Sequence, residues 1–303
     1  MIKTITGSLL LLCALLYQVT ALAASPVWRV SNGQNHIYLG GTLHYLKHTD
    51  YPLPSVFYHA YFNSDRLVLE VDTRRFKAPE YREQFRRQSL YAGNRTIASV
   101  LRPQTLNALT RFIESRQLSA PGLLRYKPGI LSLQLMDNEL KRLNLSAPGV
   151  DDFFREKARK DNKAIDFLEA LEVQVELFTE MGRDQEDPFI QNTLSELREY
   201  SGFTEAMRKL WRNADQDRMR RYVLDNMQQR FPRLYIASLV KRNRNWLPRI
   251  EQMLKTPEVE FTLVGVLHMI GDQGLLNQLK AKGYSIEVAD NNGVFTSYSG
   301  TQQ

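Results

Sequence analysis

Leu39-Gly40-Gly41-Thr42-Leu43-His44 and Leu263-Val264-Gly265-Val266-Leu267-His268 are two copies of one pattern, L-x-G-x-L-H, more than 200 residues apart. Each ends an apolar, strand-like run. Strand ends in an α/β sheet face the usual ligand crevice, and a glycine within a strand lets backbone approach closely. Each histidine is therefore expected where a strand leaves the sheet. The chain holds five histidines, and a matched pair in equivalent contexts points to function more strongly than one alone. Imidazole serves both as a metal ligand and as a general base.

Around these segments the chain alternates between strand and helix signals. Val27–Val30 and Asn35–Gly40 read as a hairpin through Asn32-Gly33. Pro52 and Pro54 open a helix through about Asn63. Arg66–Val71 reads as a buried strand carrying Leu67-Val68-Leu69-Glu70. From Pro79 to about Phe178 the pattern is mostly helical, with Gly and Pro breaks and one short strand at Ala164–Leu168. Residues 171–255 read as successive helices punctuated by Pro188, Pro232 and Pro248. Strand Glu260–Val266, helix Gly274–Lys282 and strand Ser285–Val288 follow, then a loose tail over 291–303. Strands at both ends with helices between imply an α/β (α+β) fold. Its central mixed sheet is built from N- and C-terminal segments, with a large helical insertion at about 171–255.

Residues 1–23 have the form of a secretory signal peptide: Lys3, an apolar core from Ile5 to Leu16, and Ala21-Leu22-Ala23 as a cleavage site. The expected mature chain, 24–303, is a single domain, periplasmic or secreted, with no integral membrane segment. Cys13 is the sole cysteine. It lies in the leader and follows Leu12, which does not suit a lipid-acceptor cysteine. The mature chain then has no thiol nucleophile, disulfide or cysteine metal site.

At 303 residues, 43% hydrophobic and 24% charged, the composition is that of a globular protein, with net charge +7. Residues 205–249 hold twelve basic and four acidic residues, more than the whole excess. They alternate with Trp211, Met219, Tyr222 and Met227 at helical spacing. No nucleic-acid motif accompanies them, so they read as a solvated helix face rather than a nucleic-acid site. No Walker loop, G-x-G-x-x-G, H-E-x-x-H or G-x-S-x-G occurs.

Glu70 ends its strand, with Asp72 two residues on and on the same face. A carboxylate there needs a metal or a cation partner such as Arg74 or Arg75. His48 reads as a loop residue, His36 as part of an exposed strand, and His59 as a helix-surface residue. Asp151 fits a helix N-cap or a group supporting the site. Glu169 fits a carboxylate behind a ligand or the start of a helix. Arg242 fits a substrate-carboxylate clamp or a surface ion pair.

Gly41-Thr42-Leu43-His44 and Gly265-Val266-Leu267-His268 resemble the paired G-x-x-H motifs of the TraB/GumN family, which includes the TIKI metalloproteases. Supporting segments are Tyr51-Pro52-Leu53-Pro54, Leu67-Val68-Leu69-Glu70-Val71-Asp72, Pro148-Gly149-Val150-Asp151, Leu168-Glu169, and Arg242-Asn243 with Trp246. The resemblance implies a divalent-metal-dependent hydrolase with His44, Glu70 and His268 essential. These three would share zinc, manganese or cobalt, and the metal would activate a water toward a peptide bond. Glu70 would be a ligand or the base. Arg242 and Asn243 would orient a peptide or protein substrate, with Asp151 and Glu169 behind. Met269-Ile270-Gly271-Asp272 departs from the family pattern at the pocket rim. The wider superfamily includes haem-binding lipoproteins and an erythromycin esterase. The alternative is therefore a non-enzymatic envelope protein that binds haem or a peptide in the same crevice.

Overall fold

The computed structural model describes residues 24–290 and 293–298. Residues 1–23, read above as a leader, lie outside the described residues. Among the described residues seven strands form one sheet in the order β4-β3-β5-β2-β1-β6-β7. The strands are β1 (Ala24–Ser31), β2 (His36–Thr42), β3 (Arg66–Leu69), β4 (Ala164–Phe167), β5 (Glu260–Gly265), β6 (Ser285–Asp290) and β7 (Phe295–Ser297). The β1–β2 hairpin is antiparallel, and Gly33 supplies the positive φ of its turn. β2, β5, β3 and β4 run parallel. The C-terminal strand β5 thus lies between two N-terminal strands, as the end-to-end strand pattern requires.

Register explains where the site forms. Thr42 pairs with Gly265, and Leu69 pairs with both Leu263 and Phe167. The carboxyl ends of four parallel strands therefore coincide. The β3–β4 ladder continues past the strands, where the Leu168 N–H donates to the Leu69 carbonyl and the Glu169 N–H to that of Glu70. His44, Glu70, Glu169 and His268 are delivered to one edge by backbone geometry alone.

Close contact between β2 and β5 needs two glycines. A Cβ on Gly40 would lie 2.6 Å from Leu263 Cδ2, and one on Gly41 would lie 2.8 Å from Val266 Cγ2. Trp28, Phe57, Phe154, Trp211, Trp246 and Phe261 are almost wholly buried around the sheet. Burial of each such ring contributes about 1.5–3 kcal/mol. A second apolar cluster joins Ile97, Leu109, Ile113, Leu131 and Leu135 to Ile190, Leu194 and Leu197. The helical body thus begins well before residue 171, because its core combines helices from both sides of β4.

Three further expectations need correction. The tail is not wholly loose, since β7 pairs antiparallel with β6. Pro248 does not interrupt a helix but sits inside Lys241–Met253. The basic stretch is not simply a solvated face. Arg208 is buried against Asp50, with Nε 2.6 Å from Oδ2, and Arg242 is buried too. Two π-helical turns, Arg220–Leu224 and Ile236–Val240, interrupt that stretch. Among the described residues no helix is long and apolar enough to cross a membrane.

Candidate functional site

His44 leaves β2 where the Val150–Lys160 helix begins. The Val150 N–H donates to the Leu43 carbonyl, and a Cβ on Gly149 would lie 2.7 Å from His44 Cα. That contact places Asp151 Oδ1 2.9 Å from His44 Nδ1. Gly149 is the N-cap, so Asp151 sits in the first turn, where the helix dipole favours its charge. A carboxylate only accepts, so His44 Nδ1 carries the hydrogen, and in the neutral ring Nε2 holds the free lone pair. Asp151 raises the His44 pKa well above the ordinary imidazole range, with help from Glu70 and Asp152. The ring is 64% exposed, so water screens part of that pull.

Gly265 marks the point the three expected residues share. A Cβ built there would lie 3.6 Å from Glu70 Oε1, 3.7 Å from His268 Cδ2 and 4.0 Å from His44 Nε2. Burial alone would raise Glu70. The Arg242 guanidinium, the two imidazoles and the Gly265 N–H overcome that and hold it near 2. The N–H donates to Glu70 Oε1 at 2.8 Å. Burial pushes His268 down to about 3, so it is neutral. Its ring packs against Trp246 at a tilt of 37°, with centroids 4.5 Å apart.

Arg242 is the centre of the cluster. Nη2 donates to Glu70 Oε2 at 2.5 Å and to Glu169 Oε1 at 2.7 Å. Nε donates to Glu169 Oε1 at 2.9 Å. Nη1 donates to His268 Nε2 at 3.1 Å and to the Ser238 carbonyl at 3.4 Å. All five N–H groups are used. Because Arg242 only donates, His268 Nε2 is the acceptor, and Nδ1–H donates to Asn243 Oδ1 at 2.6 Å. Asn243 Nδ2 donates to the His268 and Gln273 carbonyls. Trp246 Nε1 donates to Glu169 Oε2.

Several sequence expectations change here. Arg242 and Asn243 turn their polar groups inward, onto Glu70, Glu169, His268 and the Gln273 carbonyl. Glu70 is paired with Arg242, not Arg74 or Arg75. Asp72 lies past the strand end and takes Arg74. Glu169 stands beside Glu70 and completes the pairing of Arg242. Gln174 is an addition to the expected set. It donates to Glu70 Oε2 at 3.0 Å from the first turn of the Leu171–Glu180 helix, and no motif marks it.

The donor types suit a divalent ion, but the packing assigns their lone pairs elsewhere. His268 Nε2 and Glu70 Oε2 receive Arg242, and Glu70 Oε1 receives Gly265. His44 Nε2 and one further lone pair of Glu70 Oε1 are uncommitted among these three side chains. Among the described residues no three His, Asp or Glu side chains are arranged to hold a metal ion. As packed, the His44, Glu70 and His268 set does not fit zinc, manganese or cobalt, because a guanidinium already supplies the positive charge there.

A profile of the TraB/PrgY/gumN family matches residues 26–288. The chain is also similar to the uncharacterized protein YbaP of Escherichia coli (strain K12). Identity is 23% over 250 residues, covering 82% of this chain and 89% of that protein. No solved structure matches the chain.

Proposed function

The chain belongs to the TraB/PrgY/gumN family, and we propose that it is an exported hydrolase of peptide bonds whose proton-transfer group is His44. The observation that carries this reading is the His44–Asp151 pair. An exposed imidazole has one nitrogen fixed by a carboxylate at 2.9 Å, and its other nitrogen lies near Gly265 and Glu70 at the end of the parallel strands. Neutral His44 takes a proton from a water as the oxygen attacks the carbonyl carbon. The same proton then goes to the departing amine nitrogen, so the ring ends as it began. Asp151 holds the tautomer and stabilises the imidazolium between those steps. Arg242 keeps Glu70 ionised, Glu169 and Trp246 hold the Arg242 guanidinium in place, and the Glu70 charge adds to that stabilisation.

The leader pattern of residues 1–23 supports export. Against the haem-binding alternative, both His268 nitrogens are committed, and the cavity that reaches Arg242 mixes charged with apolar side chains instead of forming a wholly apolar slot. The test is cleavage of a peptide library by the wild type, His44→Ala and His59→Ala. His59 lies on the exposed face of the Ser55–Phe62 helix, away from the cluster. Cleavage lost only in His44→Ala is the expected result. Equal cleavage by all three, or by none while haem binds tightly, contradicts the reading.

A further inference from the structure

A cleft of about 460 Å³ opens between the end of the Leu171–Glu180 helix and the 230–245 stretch, and Arg242 lies at its inner end. Its size is that of a small-ligand or peptide-segment pocket. Arg233, Leu234, Ala237, Lys241 and Asn245 line it at near-helical spacing, so one continuous face forms the wall. The π-turn Ile236–Val240 lies within that face. Such turns insert a residue and re-aim the side chains C-terminal to them. Here the turn leads directly into Lys241, on the cleft, and Arg242, in the catalytic cluster.

The charges on that wall are uncommitted. Arg230, Arg233 and Lys241 make no ion pair within 4 Å among the described residues. Arg183, also on the cleft, is closed by Glu180. Arg230 lies beside the Phe231 ring, and its charge acts on Glu196 against the burial that raises that carboxyl. Phe189, Phe231 and Leu177 place apolar surface beside these cations. Apolar walls lower the local dielectric and strengthen a charge contact over its value on open surface. Glu176 opposes them from the facing wall. Val173 also lines the cleft and precedes Gln174, which holds Glu70.

We propose that this cleft is an anionic subsite, in which Arg230, Arg233 and Lys241 receive carboxylates of an acidic peptide segment beside the catalytic cluster. The nature of the ligand rests on the peptide-hydrolase reading. The recognition chemistry rests on the cleft alone. The two are separated by measuring binding without turnover.

Fluorescence anisotropy of a fluorescein-labelled hexaglutamate peptide is read against a neutral Gly-Ser peptide of equal length. The proteins are the wild type, His44→Ala, Glu176→Gln and the triple variant Arg230→Gln/Arg233→Gln/Lys241→Gln. The exposed positions of the triple variant predict an unchanged thermal midpoint, checked first. The expected result is salt-sensitive binding of the acidic peptide only. Its Kd should rise at least about tenfold in the triple variant, fall severalfold in Glu176→Gln and stay unchanged in His44→Ala. Equal binding of the neutral peptide, or undiminished binding by the folded triple variant, overturns the proposal. So does binding of inorganic phosphate without binding of the peptide. Acidic-peptide binding as described, with no cleavage of any peptide by the wild type, retains the subsite and removes the hydrolase reading.

Discussion

Arg242 decides how the site works as built. Its five donors join Glu70, Glu169, His268 and a carbonyl, and the side chains of Arg242, Glu70 and Glu169 are 9%, 12% and 7% exposed. Replacing it with leucine strands two carboxylates in a low-dielectric site. Arg242→Leu should cost about 3–5 kcal/mol of stability, as loss of one partner from a buried pair does. Arg242→Lys should recover only part, since an ammonium cannot reproduce the planar fork. Urea unfolding measures both, and a loss below about 1 kcal/mol, typical of an exposed pair, would contradict this role. The sequence marks Arg242 through R-N-x-x-W but not its direction. A lone arginine reads equally as a clamp for substrate or as a surface ion pair. Only the register that brings Glu169 beside Glu70 settles that it points inward.

At the scale of elements, the histidine pair and Glu70 were legible because they sit at the ends of short apolar runs. Parallel pairing aligns such ends whatever lies between them in sequence. The helical body was less legible. Proline reads as a breaker, yet Pro248 is accommodated inside a helix, and the π-turns leave no compositional trace. The placement of Asp151 depends on one contact between elements. Gly149 has an ordinary φ of −65°, so alanine there strains no backbone. Its Cβ, however, would lie 2.7 Å from His44 Cα and 2.9 Å from two carbonyl oxygens. Something must shift, and the Val150–Lys160 helix carries Asp151 with it. Gly149→Ala should lower kcat by about tenfold or more, since misplacement near 1 Å is costly to catalysis. The loss of thermal midpoint should be modest. Unchanged kcat would show that the His44–Asp151 geometry is not critical.

For the whole molecule, stability against pH is set by buried groups that oppose one another. His268, held near 3, does not take the proton its unfolded form accepts below about 6.5, so it withdraws stability as pH falls from 6.5 to 3. Glu260 does the reverse. Burial without a partner for Oε2 raises it to about 7, so it adds stability as pH falls from 7 through its unfolded value of 4.5. Each is one proton, so the two slopes nearly cancel between 6.5 and 4.5. Below 4.5 Glu70, held near 2, joins the loss. So do Asp50 and Glu139, which their arginine partners keep ionised despite burial. The thermal midpoint should be nearly level from pH 6.5 to 4.5 and fall steeply below. In Glu260→Gln the fall should begin near 6.5. A wild-type midpoint that drops steadily from neutrality, or a variant that behaves identically, contradicts this balance.

The central claim, that His44 transfers the proton and Asp151 sets its affinity, is tested most directly by the pH dependence of kcat/KM for the wild type and Asp151→Asn on one cleaved peptide. A raised pKa keeps His44 as imidazolium to higher pH, so activity requiring the neutral base rises only as pH climbs through that value. The acid limb of the wild type should lie clearly above 6.5. In Asp151→Asn the raising charge is gone, and the limb should move down toward 6.5 while maximal activity falls. A wild-type limb at or below 6.5, or one that Asp151→Asn leaves in place, would contradict the account.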